Sequence, residues 1–307
     1  MQNLHNLELA WLKDCIALAE KRNFSQAAAM RYVTQSAFSR RIQSLEEWVG
    51  TPLFTRNRRG VQLTKAGEAF CTKVPELLRM LDEARGEALD IAGNNSPDII
   101  IAATHSLSFS FFPELLRTNS NIARFGSFRL LSDTLQICER ILMQGEAQFL
   151  LAHYHPLMHS NLETDKFTSI VIGRDRLLPY SRKTPDSHKP LWKIDSEGEI
   201  PYLSFSNESG IGRILANMLT NNKIQKQMKS VFTADLAAAL LAMVKAGDGV
   251  AWLPETLAEQ EMKNGNIVVA TEDQTFWLPI EIRLYRPSTS MTPSAEILWQ
   301  IFSQHRQ

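Results

Sequence analysis

This chain is poor in the features that mark membrane, secreted and metal-binding proteins. Its 307 residues hold three cysteines, Cys15, Cys71 and Cys138, too far apart in sequence for a metal-ligand spacing. No apolar run nears the roughly 20 residues that a bilayer-spanning helix needs, and no basic start followed by an apolar stretch marks a signal peptide. The expectation is a cytoplasmic chain with reduced thiols, no membrane partner and no metal. Catalytic constellations are lacking too. There is no nucleophile with a plausible base, no paired carboxylates and no glycine-rich phosphate loop, and the glycines near Ser209 and Asp248 make no dinucleotide fingerprint. Neither a catalytic residue nor a cofactor is therefore expected.

Net charge is also absent, since 33 Lys/Arg balance 33 Asp/Glu. The balance hides an asymmetry. Residues 1–65 carry 10 basic against 5 acidic side chains, and residues 66–307 carry 23 against 28. A basic front on a mildly acidic body suits a phosphate-binding module attached to something else.

What is present begins with helical patterning. Leu7, Ala10, Trp11, Cys15, Ile16, Leu18 and Ala19 recur at the spacing of an amphipathic helix. Ser25 is placed to cap a second helix through Ala29 and Met30, and Thr34 a third. Ala37, Phe38, Ile42 and Leu45 give the third helix a buried stripe. Its opposite face carries Gln35, Ser36, Ser39, Arg40 and Gln43, the amide, hydroxyl and guanidinium groups that read base edges in a major groove. Gly50 to Phe54 ends the helix. Two short strands flank the basic turn Arg56-Asn57-Arg58-Arg59-Gly60, a hairpin whose tip can lie along a DNA backbone or in a minor groove. Thr64 then caps a long helix that contains Pro75 and is too apolar for a lone surface helix. Pairing with a second copy would cover it, and a dimer suits a palindrome.

The segment from Leu7 to about Ala92 resembles the winged helix-turn-helix and linker helix of LysR-type transcriptional regulators. Phe24, Ser25, Ala27, Ala28, Gln35, Ser36, Ser39, Arg40, Ile42, Leu45, Glu46, Gly50, Leu53, Phe54, Arg56, Leu63, Thr64, Gly67 and Glu68 carry the resemblance. Phe38 departs from it in bulk, and the Asn57-Arg58-Arg59 tip follows no fixed family pattern. The resemblance implies a DNA-binding unit at 1–63, a dimerising linker at 64–92 and an effector domain at 97–307. Ser25 and Thr34 are candidates for DNA contact, and Gln35, Ser36, Ser39 and Arg40 are the candidates for base edges or nearby phosphates. Arg41, Arg56, Arg58 and Arg59 are candidates for phosphates, where they add affinity but little sequence choice.

Gly93 to Pro97 is a turn cluster and a natural hinge. Beyond it strands and helices alternate, as in an α/β domain. Strands are expected at Ile99–Ala103, Ser127–Leu131, Phe149–Ala152, Tyr202–Phe205 and Ile280–Tyr285, and helices at 134–143, 211–219, 236–244 and 293–304. Ser169–Gly173 reads as the crossing into a second lobe. Lobe I would span about 97–170 and 271–307, and lobe II about 171–270. This body is similar to the periplasmic-binding-protein-like effector domain of the same family. Ligands in such folds sit at strand C-termini and helix N-termini. Thr104, His105, Ser106 and Asp133 on one side, with Ser204, Ser206 and Ser209 on the other, are the candidate effector residues. Helix capping is the plain alternative for each hydroxyl, and a hydrogen-bonded structural role for His105.

Two kinds of signal fit. One is a small anionic or polar ligand held by Thr104, Ser106 and Ser206. The other follows from a similarity of the effector half to the hypochlorite-responsive subgroup of the family, carried by Ala102 to Ser108, Gly212-Arg213, Gly249 to Glu255, Tyr285-Arg286 and Met291 to Pro293. That similarity implies methionine oxidation and an oxidative-stress role. The position before Gly212-Arg213, however, is Ile211, which cannot be oxidised in that way. Met218, Met228 and Met243 are the substitute redox candidates, with packing as the alternative for each, and Cys138 is a weaker thiol candidate. The expected partners are double-stranded DNA carrying an interrupted palindrome, RNA polymerase, an effector or oxidant, and the chain itself as a dimer of dimers. The competing reading is an enzyme or binding protein on the same two-lobed scaffold, without gene regulation.

Overall fold

The computed structural model describes residues 7–57, 60–92, 99–119, 122, 127–156, 158, 160–162, 164–185, 187, 189–194, 198–220 and 227–304. The chain divides into two compact units, Met1–Ala88 and Leu89–Gln307.

The first unit opens with helices α1 (Leu9–Lys21), α2 (Phe24–Met30) and α3 (Gln35–Val49). The cap of α2 differs from expectation. Asn23 occupies it and accepts from the Gln26 N–H at 3.1 Å. Ser25 is the second residue of the helix, whereas Asn23, still in extended geometry, holds the cap position. Thr34 caps α3 as expected, accepting from the Ala37 N–H at 3.3 Å. Gly50 ends α3 with a left-handed φ of 82°, which favours glycine. Strands β1 (Phe54–Asn57) and β2 (Gly60–Leu63) form an antiparallel hairpin.

Helix α4 (Lys65–Ile91) follows, running unbroken past Pro75. Thr64 caps it, accepting from the Gly67 N–H at 2.9 Å while donating to the Pro52 carbonyl at 2.8 Å. Gly67 is required here. A Cβ on it would lie 2.0 Å from the Leu53 carbonyl oxygen. Leu12, Cys15, Leu18, Ala27, Ala28, Phe38, Ile42, Leu45, Leu53 and Val74 form one core. The two alanines let α2 approach closely, and Phe38 fills the centre, edge-on to Phe24 at 6.1 Å. The bulk of Phe38 is therefore used for packing.

The second unit is built on a seven-stranded mixed sheet. Strands β3 (Ile99–Thr104), β4 (Phe128–Asp133), β5 (Phe149–Tyr154), β6 (Phe167–Arg182), β9 (Ala251–Pro254), β10 (Ile267–Val269) and β11 (Leu278–Pro287) belong to it. β3 pairs in parallel with β4 and β5, while β11 lies antiparallel to both β5 and β6. A separate parallel pair is formed by β7 (Ile200–Phe205) and β8 (Met228–Ala234). The helices are α5 (Phe112–Thr118), α6 (Leu135–Met143), α7 (Gly210–Thr220), α8 (Ala237–Ala246), α9 (Glu255–Lys263) and α10 (Pro293–Gln304).

The crossing near Ser169–Gly173 turns out to be an uninterrupted 16-residue strand. β6 pairs with β11 as far as Leu177 and with β9 and β10 from there on. The lobes also share one core. Leu135, Cys138 and Leu150 pack in the same cluster as Leu203, Ile211, Ile214, Leu240 and Trp252. The turn cluster Gly93–Pro97 lies outside the described residues.

Candidate nucleic-acid interface and effector site

Gln35, Ser36 and Arg40 are exposed on α3, and Ser39 is half-buried beside them. Thr34 and Ser36 share a hydrogen bond at 3.2 Å. Gln43 is engaged along the helix, donating to Glu47 at 3.1 Å. Ser25 is exposed on α2. Arg41, a candidate for phosphates, also has a partner inside the unit. Its guanidinium lies 3.4 Å from Asp14, a carboxylate of α1 with no exposed surface. The i,i+1 step on a helix turns Arg41 about 100° away from Arg40, toward the core-facing acid. Arg58, Arg59 and the side chain of Arg56 lie outside the described residues and atoms.

Two further features of this unit were not legible in the periodicity. Tyr32 is 96% exposed in the turn between α2 and α3, at a φ of 55°. Glu46 accepts from the Leu53 and Phe54 N–H groups at 2.7 and 2.9 Å, tying the end of α3 to the start of the wing.

In the second unit, Thr104, His105, Ser106, Asp133 and Ser209 converge on one cavity of about 20 Å³. Thr134, Leu135, His153, Gly210, Ile211 and Asp235 complete its wall. β3, β4 and β5 deliver their C-terminal residues to it, and the start of α7 closes it from the other lobe. The cavity has room for one water or a monatomic ion. Its polarity is nevertheless incomplete. The hydroxyls of Thr104 and Thr134 and Nε2 of His153 are buried without a hydrogen-bond partner. Burial lowers the His153 imidazole to about 4, so it is neutral near pH 7.

His105 shares a hydrogen bond with Ser132 at 3.0 Å, as a structural histidine would. The Ser209 hydroxyl accepts from the Gly212 N–H three residues ahead at 3.5 Å, a capping role at α7. Gly212 is required there, since a Cβ would lie 2.0 Å from the Ser206 carbonyl oxygen.

Ser204 is not part of the cavity. Strand alternation sends Leu203 and Phe205 into the core and Ser204 to the other face. There it bonds Ser230 at 2.9 Å and Thr233 at 2.8 Å. Ser206 likewise borders the shallow depression of about 510 Å³ that holds Ser204. It donates to Asp235, which faces the closed cavity. His153, Thr134 and Asp235 join the wall in addition to the residues expected from the sequence. The rule that exposed Thr104 and Asp133, a polar residue closing an apolar strand, also holds for His153 after Phe149–Ala152.

The three methionine candidates pack against the core without being enclosed by it, whereas Cys138 lies within it. Met218, Met228 and Met243 are half-buried against the large shared cluster. Cys138 is fully buried, 3.4 Å from the Ala103 carbonyl, and burial pushes its thiol up to about 12. It stays protonated and a poor nucleophile. Among the described residues no group of three metal-ligating side chains occurs, and no helix is long and apolar enough to cross a membrane.

Residues 9–68 match the family described as bacterial regulatory helix-turn-helix protein, lysR family, and residues 92–307 match the LysR substrate binding domain. The HTH-type transcriptional regulator YjiE of Escherichia coli K12 is 30% identical over 299 residues, covering 97% of this chain and 94% of that protein. The full-length structure of HypT from Salmonella typhimurium, described as a hypochlorite-specific LysR-type transcriptional regulator, aligns with a TM-score of 0.60 at 29% identity, covering 99% of each chain. Vibrio fischeri DarR, solved in complex with DNA, aligns with a TM-score of 0.58 at 28% identity over 98% of this chain and 99% of that one. These relatives are regulators of transcription, not enzymes. The chain belongs to the LysR family of transcriptional regulators, with an N-terminal DNA-binding domain and a C-terminal effector-binding domain.

Proposed function

We propose that this regulator reads an interrupted palindrome through α3 and answers to a small polar or anionic effector held in the cavity at Thr104, Thr134 and His153. The observation that carries the effector reading is the set of three buried polar atoms left without partners around one cavity. Native interiors rarely leave such groups unpaired, and each unpaired group costs about 1–3 kcal/mol. A ligand that bonds all three recovers that cost. Ser106 and Ser209 add hydroxyls at the same wall. At about 20 Å³ the cavity is filled by a single water or monatomic ion. An organic effector therefore works by opening the lobes, which changes their angle.

On the DNA side, Gln35, Ser36 and Ser39 face base edges, and Arg40 faces bases or phosphates. Arg56, Arg58 and Arg59 of the wing hold phosphates. Leu77, Met80 and Leu81 are exposed along α4. Their i,i+3/i+4 spacing gives an apolar stripe that a second copy covers. Effector domains then pair dimers into a tetramer, and the change in lobe angle alters the spacing of the DNA-binding pairs, hence DNA bending and access for RNA polymerase. The setting is the cytoplasm. The oxidant alternative rests on the relation to HypT, whose description names hypochlorite. The presence of Ile211, which cannot be oxidised in that way, at the cavity favours the ligand.

The test combines footprinting and anisotropy on the chain's own upstream DNA, with inorganic anions, small carboxylates, hypochlorite or none. A footprint that shortens or shifts with an anion or carboxylate, and is lost in Thr104→Val, supports the reading. Affinity that does not fall with salt would remove the DNA interface. A footprint that changes only with hypochlorite, alongside selective methionine oxidation, would replace the ligand by an oxidant.

A further inference from the structure

We propose that Cys15 and Cys71 form a redox-active thiol pair within the DNA-binding unit, which a peroxide converts reversibly to a disulfide. The two residues lie 56 positions apart, in α1 and α4, and their sulfurs stand 2.7 Å apart. Both are free thiols. A disulfide bond is about 2.05 Å long, so less than about 1 Å of further approach joins them. Neither residue takes part in the DNA face or in the effector cavity.

The two thiols are not equivalent. Cys15 is fully buried, whereas Cys71 is half-buried at the edge of the same core. The hydrogen bond from Cys15 lowers the Cys71 thiol, and the same bond together with burial raises that of Cys15. The thiolate is the reactive form. Cys71 therefore meets the oxidant and Cys15 resolves the product.

The Cys71 thiolate attacks one oxygen of hydrogen peroxide. The O–O bond breaks, hydroxide leaves, and Cys71 becomes a sulfenic acid. The Cys15 sulfur then attacks the Cys71 sulfur, the S–S bond forms and the S–O bond breaks. The departing hydroxide and the protons released balance as water. Overall, two thiols and one peroxide give one disulfide and two waters, each sulfur giving up one electron.

The bond has a structural consequence. α1 packs against both α2 and α3, so tying it to α4 fixes the helix-turn-helix to the linker helix. A cross-link between residues 56 apart also restricts the unfolded chain, which raises the thermal midpoint of this unit by several degrees.

The experiment uses the full chain, reduced, freed of reductant and treated with near-stoichiometric hydrogen peroxide. Free thiols are then alkylated and the protein is digested without reductant for mass spectrometry. The expected product is one peptide pair joined through Cys15 and Cys71, two hydrogens lighter than its parts and released by dithiothreitol. Cys138 remains alkylatable after denaturation and serves as the internal reference. In Cys15→Ser, Cys71 is trapped as a sulfenic acid by dimedone, and in Cys71→Ser, Cys15 stays a thiol. Full alkylation of both cysteines after the peroxide has been consumed would overturn the proposal. So would a non-reducing gel in which Cys71 joins two copies of the chain. The wild-type result decides even if a variant fails to fold, and it does so independently of any DNA or effector measurement.

Discussion

Asp14 and Arg31 form an ion pair inside the helix-turn-helix: the Arg31 Nε donates to the Asp14 carboxylate at 2.8 Å, and the acid has no exposed surface. Arg41 joins from α3 at 3.4 Å. One carboxylate on α1 thus gathers the end of α2 and the middle of α3.

Asp14→Asn keeps the shape and removes the charge. Removing one member of a fully buried pair costs about 3–5 kcal/mol. The two guanidiniums keep roughly a third of their surface in water, so the expected loss is about 2 kcal/mol. Urea denaturation of the full chain measures it. Arg41→Ala should also lower stability while barely moving the salt dependence of DNA binding. An unchanged midpoint in both variants would remove the clamp from the account.

Gln35→Ala and Arg40→Ala should part company in DNA binding. Loss of a bidentate base contact costs about 1–3 kcal/mol and relaxes preference at one base pair, with non-specific affinity untouched. Loss of a phosphate contact weakens all sequences alike and reduces the salt slope by about 1. Anisotropy titrations at several salt concentrations, on operator and scrambled duplexes, separate the two. Uniform weakening on operator and scrambled duplexes alike in both variants would argue against base reading by α3.

Acid should destabilise the effector domain through His153. Its imidazole sits at about 4 in the folded chain, against 6.5 when unperturbed. As pH falls the unfolded chain takes up the proton first, so the stability is fully present above 6.5 and is lost as pH drops toward 4. The full loss is about 3 kcal/mol. Denaturant midpoints across this window should fall in the native chain and flatten in His153→Gln. A native chain with a flat profile would contradict the buried neutral imidazole.

Thr134→Val removes an unpartnered buried hydroxyl at nearly constant volume. It should stabilise the effector-free protein by about 1 kcal/mol and weaken the footprint response to the effector. Thermal midpoints with and without effector give both numbers. Destabilisation would mean that the hydroxyl has a partner in solution.

Local chemistry made much of this protein legible. Thr34 and Thr64 sit where free helix N–H groups need an acceptor, and Phe38, Ile42 and Leu45 repeat at the helical period. Polar residues closing apolar strands pointed to Thr104 and Asp133. Elements without such marks went unseen. β6 continues past Gly173 although Arg174, Asp175 and Arg176 interrupt its apolar run. The arginines face out, and Asp175 accepts from the Thr256 hydroxyl at 2.6 Å. α9 buries only Ala258 and so has no apolar stripe. β8 is largely exposed on both faces and shows no alternation.

The sequence by itself determined the helix-turn-helix, the wing, the linker helix and the α/β character of the body, because caps, turns and periodicity act over a few residues. Only the tertiary structure decided which side chains meet. It turned Arg41 inward to Asp14, set Ser204 against β8, brought His153 to Thr104 and Thr134, and placed Cys15 against Cys71. Each of these is a contact between distant positions, set by how helices and strands pack, and no local signal in the chain encodes that geometry.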